Sequence, residues 1–220
     1  MRADMGHRED ICAAMVALVE TGLNRGASGN VSLRDGATML ITPSGVPPRQ
    51  IRPEDIAVMP LTGSGDWDGP LAPSVEWRFH RDILNRRPEI QAVVHTHAPW
   101  STALAVARKP IPAVHYMIAA FGGTEIRCSD YATYGTPALS EAVLAAMEGS
   151  RACLMANHGM VVGGNSISNA LWLANELEAL AHQYFHSLLI GGPHLLTDDQ
   201  IAETARGFAS YGVRVKGAKP

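Results

Sequence analysis

Cysteine is scarce and scattered: the 220 residues hold only Cys12, Cys128 and Cys153, and no CxxC pair joins any of them. That excludes a disulfide framework and a cysteine-rich zinc finger. The three thiols read most simply as small buried hydrophobes in a reducing, cytoplasmic protein. Long apolar runs are missing too. No stretch approaches the roughly 18 uninterrupted apolar residues of a membrane-spanning helix, and the opening MRADMGHRED has no apolar signal core. Lys and Arg form no block and the formal charge is −3, which argues against nucleic acid or an anionic membrane as a partner. Repeats, low-complexity segments and linkers are absent, so residues 1–220 are expected to form a single domain.

What is present suits a core of useful size: 46% of residues are hydrophobic and 18% charged. Ile11, Met15, Leu18 and Val19 fall at helical spacing between Glu9 and Glu20. Val31-Ser32-Leu33 and Thr38–Ile41, separated by Arg34-Asp35-Gly36, read as a hairpin. Residues 56–61 suggest a further strand. Ser74 is a good N-cap for a helix that would hold Glu76 at its second position and end before Pro88. Beyond it the pattern predicts a helix over 100–107, a brief strand over 125–128, and a helix capped by Thr136 with Pro137 at its first position and running to about Glu148. A strand at 152–156 is broken by Asn157-His158-Gly159 and resumes at 160–162. Helices over Ile167–Leu189 and 198–209 complete the chain.

The chemistry concentrates in Ala92-Val93-Val94-His95-Thr96-His97-Ala98. An apolar lead-in of this kind reads as a buried strand surfacing at its carboxyl end. His95 and His97 then share one face while Thr96 looks away, with Cα atoms roughly 6.5–7 Å apart. Two such imidazoles can lean onto one ion, or they are simply two histidines on a loop. His158, followed by Gly159, offers a third nitrogen, and three neutral imidazoles suit a catalytic divalent ion with an open position. Glu76 is a candidate to close that site. His182 and His186, at i and i+4, compete as a metal pair, although their aromatic neighbours favour packing. His80 and His115 sit beside aromatics and are expected to pack or hydrogen-bond. Two turns rich in small residues, Gly26–Asn30 and Thr42–Gly45, could form an anion-binding nest or be turns and nothing more.

Several runs occur in order: Gly26-Ala27-Ser28-Gly29-Asn30-Val31-Ser32, Leu40-Ile41-Thr42-Pro43-Ser44-Gly45, Pro73 through His80, Val93 through His97, Ile111 through Ala120, Tyr131 through Thr136, and His158-Gly159. Together they resemble the class II aldolase/adducin family over nearly the whole chain. The resemblance implies an α/β fold, a three-layer α/β/α sandwich around a mainly antiparallel central sheet, assembled as a fourfold-symmetric homotetramer with sites between subunits. It implies one Zn²⁺ per subunit, with Co²⁺ or Mn²⁺ as substitutes, on His95, His97 and His158. Glu76 matches the carboxylate that binds the empty metal site and carries the proton. Asn30, Ser44, Gly45 and Ser74 match phosphate-holding positions, with Gly29 shaping the turn. Tyr116 and Tyr211 match tyrosines reaching in from a neighbouring subunit, and Tyr134 an aromatic beside the aldehyde portion.

The activity implied is reversible cleavage of a ketose 1-phosphate, such as L-fuculose 1-phosphate or a 5-deoxypentulose 1-phosphate, to dihydroxyacetone phosphate and an aldehyde. No lysine lies in these motifs, so no Schiff base is needed. Glu76 is expected to have a raised pKa through burial near Val75 and Trp77. A decarboxylase or a ribulose-phosphate 4-epimerase of the same fold is the alternative. An adducin-like, metal-free module is disfavoured by the retained histidines and Glu76. The chain departs from the aldolase pattern at Val75, where a second phosphate-binding serine would stand, and at Ala27, in place of a threonine. Ser28 or a water is a candidate to compensate; with neither, the substrate would carry its anion differently, for instance as a carboxylate.

Overall fold

A computed structural model describes residues 5–208 of the chain. Helix α1 (Met5–Glu20) precedes the hairpin of β1 (Asn30–Asp35) and β2 (Thr38–Ile41), and β3 (Ala57–Pro60) follows. Then come α2 (Trp77–Arg86), β4 (Ala92–Thr96), α3 (Pro99–Val106), a 3-10 turn at Tyr116–Phe121 and α4 (Pro137–Ala146). The chain ends with the hairpin of β5 (Ala152–Met155) and β6 (Gly159–Gly164), α5 (Ile167–Leu189) and α6 (Asp198–Phe208). The six strands form one sheet in the order β3-β2-β1-β4-β6-β5. Every neighbouring pair of these strands is antiparallel.

Both faces of the sheet are covered, and the strand period of two divides the core accordingly. Ala92 and Val94 of β4, Met160 and Val162 of β6, and Leu154 of β5 pack with α1, α3 and α5. The residues between them, Val93, Val161 and Cys153, pack with Phe79 and Ile83 of α2 and Leu139 and Val143 of α4. The result is the three-layer sandwich expected. At one end of the sheet, Asn30 of β1 lies opposite His95 of β4, which in turn lies opposite Val161 of β6.

Three local expectations differ. Helix α2 starts at Trp77, with Glu76 as its N-cap residue, rather than at Ser74. Ser74 is held in an extended pairing, its N–H donating to Thr42 O at 2.9 Å beside the Pro43–Pro73 bridge, so it cannot open the helix. Its hydroxyl instead accepts the Glu76 N–H at 3.3 Å. Residues 125–128 form no strand, because Ile126 pairs with Ile111 and Cys128 with Leu154, one residue each on different partners. The strand interrupted at Asn157-His158 does not continue in line but reverses, so that its halves pair with each other.

Candidate metal centre

Three imidazoles and one carboxylate meet where β4 ends and the β5–β6 turn begins. His95 is buried at the end of β4 and His97 is exposed just beyond it. His158 is carried over them by the turn. Gly159 makes that approach feasible, since a Cβ there would collide with Thr96 O and come within 2.9 Å of the His97 ring. The three rings stand at 72–75° to one another, so they converge from different directions.

Protonation states follow from the partners. His95 Nδ1 lies 2.8 Å from the Met160 carbonyl oxygen, which can only accept, so Nδ1 carries the proton and Nε2 presents its lone pair. That Nε2 is 3.2 Å from Nε2 of His97. Glu76 Oε2 lies 3.3 Å from His95 Nε2 and Oε1 lies 3.1 Å from His158 Nε2. Donors at tetrahedral corners about 2.0–2.1 Å from an ion stand roughly 3.3–3.4 Å apart, close to the spacings found. The donor set therefore fits a divalent cation, with a Glu76 oxygen beside the three nitrogens. His95, His97 and His158 are the one such group of three or more among the described residues.

Burial pushes the His95 imidazole down to about 4, against the opposing pull of Glu76, and lowers His97 as well. Both are thereby neutral near pH 7, the form that binds metal. Glu76 corrects an expectation. Burial does raise it, but the neighbouring His95 and His158 and the hydrogen bond from Asn30 outweigh burial and hold it well below the usual carboxylate range. It is an ionised carboxylate, not one with a raised pKa.

The anion turns gather beside this cluster. The Asn30 amide donates to Ser74 Oγ at 3.0 Å and to Glu76 Oε2 at 2.9 Å. Backbone bonds from Ser44 to Ala72 and from Ser74 to Thr42 lay the Thr42–Gly45 turn alongside. Gly29 has φ +81°, and a Cβ there would strike the Asn24 amide and come within 2.8 Å of His95 O, so the turn can bring the backbone this near only through a glycine. The Ser28 hydroxyl donates to Arg25 O at 2.8 Å.

A cavity of ≈ 360 Å³ opens over the cluster, lined by Val75, Glu76, His97, Tyr131, Ala132, Tyr134, Asn157 and His158. Tyr134 is thus part of the cavity wall over the cluster. Tyr116 does not reach this cavity within one chain; it lines a separate groove with Met117, Trp172 and Phe208. Tyr211 lies outside the described residues. His182 stacks on Trp100 with ring centroids 4.2 Å apart, and His186 tilts against the same ring. They are packing residues. Reading the sequence missed Tyr131 and Ala132 in the cavity wall and Asn24 buried against Gly29 with its amide lacking a hydrogen-bond partner. His80 packs on Phe79 and hydrogen-bonds to Ser32 and Asn30, as its aromatic neighbour suggested.

A family profile described as "Class II Aldolase and Adducin N-terminal domain" matches residues 9–185. A 5-methylthioribulose-1-phosphate/5-deoxyribulose-1-phosphate aldolase from Rhodospirillum rubrum is 48% identical over 205 residues, 93% of this chain and 92% of that protein. L-fuculose phosphate aldolase from Escherichia coli K12 is 42% identical over 208 residues, 94% of each. Among solved structures, an L-fuculose 1-phosphate aldolase superposes with a TM-score of 0.91 at 38% identity, covering 94% of this chain and 98% of that one.

Proposed function

The chain belongs to the class II aldolase and adducin family, and from that membership we propose that it reversibly cleaves a ketose 1-phosphate into dihydroxyacetone phosphate and an aldehyde. The observation that carries the reading is the convergence of His95, His97, His158 and Glu76, with adjacent donor atoms 3.1–3.3 Å apart. Breaking the C3–C4 bond leaves an enediolate, whose charge must be stabilised where it develops. A divalent cation held by the three histidines, zinc in our reading with cobalt or manganese as substitutes, supplies Lewis-acid charge at that point.

The protein's own groups do the rest. Asn30, Ser44, Gly45 and Ser74, with Gly29 shaping the turn, orient the phosphate. Ionised Glu76 is the form that removes a proton from dihydroxyacetone phosphate in the condensation direction, and the same oxygen returns it in cleavage. Tyr116 of the partner subunit exchanges the proton on the aldehyde oxygen. Ala132 and the rings of Tyr131 and Tyr134 make the aldehyde-side wall largely apolar. That wall supports an aldehyde ending in a methyl or methylthio group, as from 5-deoxy- or 5-methylthiopentulose 1-phosphate or L-fuculose 1-phosphate. A second reading, decarboxylation or 4-epimerisation of a sugar acid or sugar phosphate, draws on Val75, which brings no hydroxyl to a phosphate. We place the protein in the cytoplasm because its three cysteines are free thiols. No helix among the described residues is long and apolar enough to cross a membrane.

The test is metal analysis of the purified protein together with release of dihydroxyacetone phosphate from a panel of these three ketose 1-phosphates. About one metal per chain and turnover of at least one member is expected. Metal-replete protein that releases none from any of them defeats the aldolase reading.

A further inference from the structure

Behind Glu76 lies a second layer of buried polar side chains. Ser32 and His80 are 0% exposed, Asn30 and Ser74 5%, and Glu76 7%. Ser32 sits two residues after Asn30, on the same face of β1. His80 sits four residues after Glu76. His80 Nδ1 is 2.8 Å from Ser32 Oγ, and His80 Nε2 is 2.5 Å from Asn30 Oδ1.

The direction of every bond in this chain follows from the geometry around the Asn30 amide. One end of it lies 3.0 Å from Ser74 Oγ, which already accepts the Glu76 N–H, and 2.9 Å from Glu76 Oε2, so that end is the NH₂ group, the one donor able to serve both oxygens. The carbonyl end then faces His80, which makes Nε2 the protonated ring nitrogen. Nδ1 is left to accept from the Ser32 hydroxyl. The reverse arrangement would set the amide oxygen 2.9 Å from a carboxylate oxygen in a buried setting, a repulsive contact.

We propose that His80 is a positioning residue for the reaction: oriented by Ser32, it fixes the Asn30 amide so that one NH₂ group holds both the Glu76 carboxylate and the Ser74 hydroxyl. The proton-carrying group and the anion turn are thus set by a single side chain that touches neither substrate nor metal. The consequence for turnover rests on the aldolase reading given above. The tautomer does not, and the two can fail separately.

The first measurement is the long-range ¹H–¹⁵N spectrum of the zinc-loaded full chain. It is expected to show His80 as the neutral Nε2–H tautomer. An Nδ1–H or doubly protonated ring overturns the proposal, even if the enzyme turns over normally. The second is a pair of substitutions. His80→Phe keeps the ring and loses both hydrogen bonds, and should lower kcat ~10- to 100-fold, the usual size when support behind a metal-site ligand is lost. His80→Gln places an amide nitrogen near the old Nε2 and should recover most of that loss. Phe at wild-type kcat, or Gln no better than Phe in a folded protein, also overturns it. Should either variant fail to fold, the wild-type tautomer alone decides. If wild-type protein shows no aldolase activity, the reaction reading falls while the tautomer still reports on the network.

Discussion

Val75 stands between the buried Ser74 and Glu76, yet its own side chain is 53% exposed and looks into the cavity. A hydroxyl there would donate to a charged oxygen, a bond that contributes about 1.5–3 kcal/mol when buried. Half exposure lowers that, so Val75→Ser should reduce KM for a ketose 1-phosphate about 3- to 10-fold with kcat nearly unchanged. Steady-state kinetics decide it, and an unaltered KM means that the anion sits elsewhere. A second effect at this scale is pH dependence. Burial, with the His95 charge, pushes His80 down to about 3 and burial pushes His95 down to about 4, from 6.5 when unfolded. Between those values the unfolded chain binds more protons, so folding stability falls as the pH falls from 6.5. The metal-free protein should lose up to about 1.4 kcal/mol per pH unit per site, read as urea midpoints at pH 7, 6 and 5. A flat profile would mean that neither imidazole is buried neutral. The metal triad was legible in the sequence because His-x-His obeys strand periodicity and His158 precedes a glycine. The orientation of the Asn30 amide was not, since it depends on partners 44 to 50 residues away.

At the level of elements, the site depends on where helices begin. α3 starts two residues beyond His97, and its first free N–H groups are taken by one carboxylate from α5. Glu178 accepts from Trp100 N–H at 2.7 Å, and from Ser101 N–H and the Ser101 hydroxyl at 2.8 Å each. A carboxylate at a helix N-terminus is favoured by the dipole as well as by the bonds. Glu178→Gln removes the charge and turns an NH₂ group toward at least one donor, so it should cost about 1–3 kcal/mol. Urea unfolding reads that loss, and a cobalt titration should show weaker metal binding because His97 is less firmly placed. An unchanged midpoint would show that the cap is dispensable. Periodicity alone located α5 to the residue and β4 closely, the first because it is a long apolar pattern and the second because its apolar run stops at His-x-His. It failed at Ser74, where a cap signature is real but the Thr42 strand end claims the residue first. It failed again at 125–128, where apolar residues pair one at a time with two different partners.

For the whole molecule, we take the 220 residues as one domain whose active site is completed only by assembly. Tyr116 is 49% exposed and Trp172 44% exposed, on a groove apart from the metal cavity. Side chains of this kind, left open on the surface of a chain, suit a contact between copies. In a closed fourfold ring each site would take Glu76 from one chain and Tyr116 from the next. This arrangement makes a prediction that no single-chain site can imitate. Tyr116→Phe and Glu76→Gln should each lower kcat by about 10²-fold or more, as expected for loss of a general acid or base. Mixed after subunit exchange, the two inactive proteins should regain activity, because some sites then combine an intact Glu76 with an intact Tyr116. Random mixing in equal amounts leaves roughly a quarter of the sites intact. If Tyr116 served its own chain's metal cavity, every site would still carry one lesion and mixing would restore nothing. Activity assays before and after exchange, with light scattering to confirm four chains per particle, separate the two arrangements.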